Sequence, residues 1–141
     1  MNPCYVHSLT VPFYDVDPMR VVWHGNYVKY FEEARCAFLR KLGTDYAAIE
    51  ASGFLLPVVS LEIKYMHPCL FGQDLAIEVS ADQDNPCLLV FHYLVRDKAT
   101  GKRLCKATTR QAAVDAATHE LLFELPASLR ERLREGAPTQ P

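Results

Sequence analysis

The chain contains no run of about 18 apolar residues, which excludes a transmembrane helix. Its first residues, Met1-Asn-Pro-Cys-Tyr-Val-His7, lack a basic stretch followed by an apolar one, so no signal peptide is expected. An excess of one charge is missing too. Fifteen Lys and Arg stand against seventeen Asp and Glu, and a formal net charge of −2 gives no general field for nucleic acid or an anionic membrane. Glycine is scarce, at six residues, and forms neither a phosphate loop nor a dinucleotide fingerprint. The five cysteines (Cys4, Cys36, Cys69, Cys87 and Cys105) include no Cys-x-x-Cys pair. Odd in number and widely spaced, they predict buried reduced thiols in a cytoplasmic protein rather than disulfides or a zinc site. His7, His24, His67, His92 and His119 are scattered without the spacing of a zinc motif. Neither a metal nor a cofactor is expected.

What remains suits one domain over residues 1–141, with half of the 141 residues hydrophobic and 23% charged. Val6, Leu9, Val11 and Phe13 predict a strand over residues 5–14, with Pro12 pushing it to a sheet edge or a bulge. Tyr27, Tyr30, Phe31, Ala34, Phe38 and Leu42 then recur at three and four residues, the stripe of a long helix. Lys29, Glu32, Glu33, Arg35, Arg40 and Lys41 fall on much of its other side. Asn26 reads as the N-cap and Gly43 as the stop. Residues 44–56 read as a short helical turn and a loop. Four strands follow: residues 58–65, half-buried by their alternation; 75–81; 87–95, apolar enough for burial on both faces; and 104–116. A short charged helix over 126–134 and a frayed tail over 136–141 close the chain. One striped helix against one antiparallel sheet of about five strands gives a two-layer α+β domain.

The reactive groups gather in Phe13-Tyr-Asp-Val-Asp-Pro-Met-Arg-Val-Val-Trp-His-Gly-Asn-Tyr27. On the residues alone, Asp17 before Pro18 reads first as a turn or capping residue. Asp15, two residues earlier on an extended chain, shares its face and reads as exposed or capping. His24 reads equally as a helix-start residue bonded to the backbone or as an acid, base or orienting group.

The run FYDVDPMRVVWHGNYVKYFEEAR resembles the signature of the 4-hydroxybenzoyl-CoA thioesterase family, which includes the acyl-CoA thioesterases encoded beside the Tol-Pal envelope system. Tyr65, Pro68, Gly72 and Asp74 match the strand-turn-strand after the central helix in these proteins. A similar DPMRVVWHGNYVKY run occurs in members found with aryl-polyene and related fatty-acid-like pathways. The resemblance spans nearly the whole chain and implies a hotdog fold, a sheet wrapped around one long helix. It also implies a homo-oligomer, dimer or tetramer, with active sites at the subunit interface. By the same resemblance Asp17 matches the catalytic carboxylate and His24 the position whose backbone N–H polarises the thioester carbonyl. Gly25, Asn26 and Tyr27 match the substrate-binding helix opening. Arg20 stands where the family often has glycine, narrowing the loop or facing the substrate's phosphates or carrier.

Thioester hydrolysis needs little acid assistance, because a thiol of pKa about 8.5 is a fair leaving group. It needs a nucleophile or base and a stabilised oxyanion. A carboxylate attacks directly or activates water, and free N–H groups in the first helical turn receive the developing charge. The expected activity is hydrolysis of an acyl-CoA or acyl-carrier-protein thioester. The rivals are a hotdog 3-hydroxyacyl-thioester dehydratase, for which Glu32 and Glu33 lie far along the helix from His24, and a non-catalytic acyl-binding module, which needs neither Asp17 nor His24.

Overall fold

A computed structural model describes residues 3–136, so the expected tail beyond Gly136 lies outside the described residues. Strand β1 (Cys4–Thr10) ends earlier than its sequence pattern suggests, and Phe13–Asp15 coil into a 3-10 turn. Pro12 has no N–H to continue a ladder, and extended geometry at Pro12 leads straight into the turn. A second 3-10 turn, His24–Asn26, runs without a break into α1 (Tyr27–Lys41). Gly43 stops the helix at φ +83°, a left-handed conformation that glycine adopts without a Cβ clash. The helical turn expected after it is α2 (Tyr46–Ala51), capped by Asp45 through a 2.7 Å bond from Ala48 N–H, and the loop that follows holds a two-residue strand β2 (Phe54–Leu55).

Then come β3 (Val58–Tyr65), β4 (Asp74–Asp82), β5 (Leu88–Asp97) and β6 (Arg103–Ala112). The main sheet is antiparallel with order β1-β4-β5-β6-β3. The chain leaves it at Ala113, and β7 (Val114–Asp115) pairs with β2, so the single strand expected over 104–116 is two. Helix α3 (Ala127–Glu135) buries Leu129 and Leu133 in the core.

Helix α1 lays Tyr30, Phe31, Ala34 and Phe38 on the face of the sheet made by Ile77, Val79, Phe91, Tyr93 and Val95. Phe38 meets Phe91 edge-on at 5.8 Å, and full burial of such a ring contributes about 2–3 kcal/mol. Two expectations about the strands change. β5 is the central strand, but His92 is exposed and Leu94 half-buried, because the helix covers only one side of the sheet. β3 is not half-buried: at the sheet's edge, where α1 meets its Tyr65 end through Tyr27 and leaves most of the strand uncovered, it exposes Val58, Val59, Leu61 and Tyr65.

Arg35 is a third change. Its place on the polar side of the stripe predicts exposure, yet it is buried. Tyr46 and Tyr93 supply hydroxyls at 2.6 Å and 3.3 Å to its guanidinium, and Glu32 pairs with it. A buried cation persists only when partnered in this way. All five cysteines are free; burial pushes the Cys105 thiol up to about 12 and raises Cys69 as well.

Candidate active site

The motif folds as a tight hairpin. Trp23 N–H donates to Asp15 C=O at 3.0 Å, and Asp17 N–H donates to Val21 C=O at 2.9 Å. Val16 faces Val22 in the bridge between them. The turn closes where Arg20 N–H donates to Asp17 C=O at 2.8 Å, with Arg20 at φ +65°. Glycine would hold that left-handed backbone without the Cβ strain that arginine carries.

Asp17 is half-buried at the base of the turn, and its Oδ1 accepts the Met19 N–H at 2.8 Å. One carboxylate oxygen therefore does serve the turn, as an aspartate before proline suggests. The other has no protein partner among the described residues.

Asp15 departs from expectation. It is buried rather than exposed, because the 3-10 turn that ends on it turns its side chain towards α1. Its Oδ1 accepts from Lys29 Nζ at 2.6 Å and its Oδ2 from the Tyr30 hydroxyl at 2.7 Å. Burial, and then this bond, raise the Tyr30 phenol far above its ordinary range.

The helix start is not capped by a side chain. Asn26 already has helical backbone angles, and its Nδ2 donates to Asp15 C=O at 2.9 Å, so Asn26 acts as a clamp and not as the expected N-cap. The N–H groups of His24 and Gly25 find no acceptor among the described residues. Such donors at the positive end of a 15-residue helix are suited to an anion or a developing oxyanion. Gly25 lies beneath the Trp23 indole, and a Cβ there would sit 2.3 Å from a ring atom. Any side chain at position 25 must displace the indole.

His24 is exposed, its ring 4.9 Å from the indole, and its C=O accepts the Tyr65 hydroxyl at 2.7 Å. Tyr27 is buried; its hydroxyl accepts the Cys69 N–H at 3.2 Å, and its ring meets Tyr65 edge-on at 5.0 Å. Burial, then the contact with Cys69, raises the Tyr27 phenol well above its usual range and keeps it neutral. His24, Tyr27, Tyr65 and His67 line a groove of about 250 Å³ together with Val21 and Val22. Asp17 and Arg20 stand at the hairpin and are not among its lining residues. A larger apolar hollow of about 580 Å³, between Tyr46, Leu56, Pro57 and Val114, contains none of the motif residues.

Tyr65 and His67 are the site residues whose part is hidden in the sequence. Tyr65 is at a strand end and His67 before a proline; only the fold brings them against the helix start, 41 residues from His24 in the case of Tyr65. Among the described residues no group of three or more His, Cys, Asp or Glu is arranged to hold a metal ion.

The profile of the thioesterase-like superfamily matches residues 11–133. The chain is 31% identical over 108 residues to the putative acyl-CoA thioesterase YneP of Bacillus subtilis, covering 77% of this chain and 78% of that protein. It is 30% identical over 107 residues to the acyl-CoA thioesterase YbgC of Haemophilus influenzae, covering 74% and 76%. The 1,4-dihydroxy-2-naphthoyl-CoA thioesterase Slr0204 from Synechocystis superposes with a TM-score of 0.85 over 94% of this chain and 96% of its own. At 18% identity that likeness shows the fold alone.

Proposed function

The chain belongs to the thioesterase-like superfamily and has its hotdog fold, and from that premise we propose that it hydrolyses acyl-CoA thioesters to the free acid and the thiol. The observation that supports this reading is the hairpin over residues 15–23. It joins a carboxylate with one uncommitted oxygen, Asp17, to two acceptor-free N–H groups, His24 and Gly25. The thioester carbonyl oxygen is held by those donors. Asp17 attacks the carbonyl carbon and the thiolate leaves, giving a mixed anhydride that water then hydrolyses to the free acid. Alternatively, Asp17 takes a proton from a water that attacks the carbonyl carbon directly, and the thiolate leaves with that proton. Two donors on the developing oxyanion, each contributing on the order of 3 kcal/mol, suffice for a good leaving group without a separate acid. The His24 ring, exposed at the groove and without a hydrogen bond to Asp17 among the described residues, is available as general acid or base or to orient Asp17 once substrate is bound. Asn26 and Tyr27 fix the helix opening, and Arg20 meets the substrate's phosphates.

The protein acts as a homo-oligomer in this reading, a dimer or a tetramer. Its support is β3, an edge strand of eight residues with Val59 and Tyr65 about half exposed at 58% and 47%. A long apolar edge invites pairing with the same edge of a second copy.

Dehydration of a 3-hydroxyacyl thioester is the weaker reading. Both helix carboxylates available for it are engaged, Glu32 with Arg35 and Glu33 with His7 at 3.2 Å. The test is thiol release from a panel of acetyl-, hexanoyl-, dodecanoyl- and benzoyl-CoA and the same acyl groups on a carrier protein. Turnover of one or more CoA esters is expected. Binding of acyl groups with no turnover of any thioester would replace the enzyme with a binding module, and turnover confined to the carrier-bound esters would reassign the substrate.

A further inference from the structure

We propose that Asp15 is the positioning residue of this site, the single group that holds the Asp17 turn and the oxyanion donors in register. The inference rests on the hydrolytic reading above and adds to it a residue that touches no substrate. Asp15 is 3% exposed, and each of its three oxygens accepts a hydrogen bond. Through its side chain it is tied to the first turn of α1, by Lys29 at 2.6 Å and Tyr30 at 2.7 Å. Through its carbonyl it is tied to the chain just before that helix, by Trp23 N–H at 3.0 Å and Asn26 Nδ2 at 2.9 Å.

Those four bonds bracket the proposed chemistry. Asp17 lies two residues beyond Asp15, and the His24 and Gly25 N–H groups lie between Trp23 and Asn26. A carboxylate is required because Lys29 and the Tyr30 hydroxyl are both donors; an amide would turn a donor of its own towards one of them. With Tyr30 fixed in the core at 3% exposure, the carboxylate has one position to occupy. A loosened Asp15 would let the hairpin shift against the helix, and displacements of about 1 Å between reacting groups cost on the order of 100-fold in rate.

The experiment measures kcat and KM on the CoA ester that the wild type turns over fastest, for Asp15→Asn, Tyr30→Phe and a destabilised control, Leu133→Ala in α3. Each is assayed well below its own melting temperature. Asp15→Asn should lower kcat about 100-fold with KM within about threefold, the signature of lost positioning and not of lost binding. Tyr30→Phe keeps the ring and removes one bond, so a fall of about fivefold to tenfold in kcat is expected. Leu133→Ala should keep the wild-type kcat. If Asp15→Asn and Tyr30→Phe stay within about threefold of wild type, or fall no further than Leu133→Ala, the positioning role is wrong. Should Asp15→Asn not fold, Tyr30→Phe decides by the same criterion. A wild type inert on every ester removes the hydrolytic reading itself and this role with it, a result distinguishable without any variant.

Discussion

Arg20 is the residue at which sequence and backbone disagree most openly. It holds a left-handed φ of +65° with a β-carbon in place, at a cost of about 1–2 kcal/mol relative to an ordinary conformation. Glycine would relieve that strain but lose more entropy on folding, so Arg20→Gly should gain no more than about 1 kcal/mol in urea unfolding. If the guanidinium meets the phosphates of the substrate, the same variant should raise KM for CoA esters about threefold and leave kcat alone, the scale of one exposed ion pair. An unchanged KM would return Arg20 to a purely structural place in the turn. The two aspartates nearby show what one sequence hides. Asp17 is legible as a motif residue, whereas Asp15 reads as solvent-facing because an extended chain would put it there. Only the 3-10 turn after Pro12 sends it inward. Arg35 misleads for a similar reason: a charge on a helix face looks exposed until Tyr46 and Tyr93, far away in sequence, surround it.

At the level of elements, α1 was the most legible part of the chain, because a stripe of large aromatics over four turns has one solution against a sheet. Its beginning was not. Asn26 has the composition of an N-cap, but the helical angles begin with His24, and the start is held from outside by Tyr65. That tie predicts its own test. Tyr65→Phe removes the bond to His24 C=O and keeps the ring against Tyr27. About 1 kcal/mol is at stake, so kcat/KM should fall roughly fivefold while the melting temperature changes little. An unchanged kcat/KM would mean that the helix start needs no such clamp. The short β2–β7 pair was beyond reach for another reason: two residues on each strand carry no period to read.

For the whole molecule, the two-layer α+β arrangement was readable from one striped helix and a series of alternating strands. The exposure of β3 was not, since alternation says that a strand has an apolar face and not which chain covers it. If a second copy pairs along that edge, replacing Val59 and Leu61 together by lysine should convert the assembly to single chains in size-exclusion chromatography with light scattering. Unaltered mass would place the interface elsewhere. Loss of turnover in the separated chains would further show that the groove beside His24 is completed by the partner copy.

The most direct test of the central claim is thiol release by wild type and Asp17→Asn on the same acyl-CoA, with circular dichroism confirming that both are folded. The asparagine can still accept the Met19 N–H and keep the turn, but it is neither nucleophile nor base. A fall in kcat of about 10³-fold is predicted, within the range for losing a catalytic base. Equal thiol release by the two proteins would contradict the assignment of Asp17 as the reacting carboxylate.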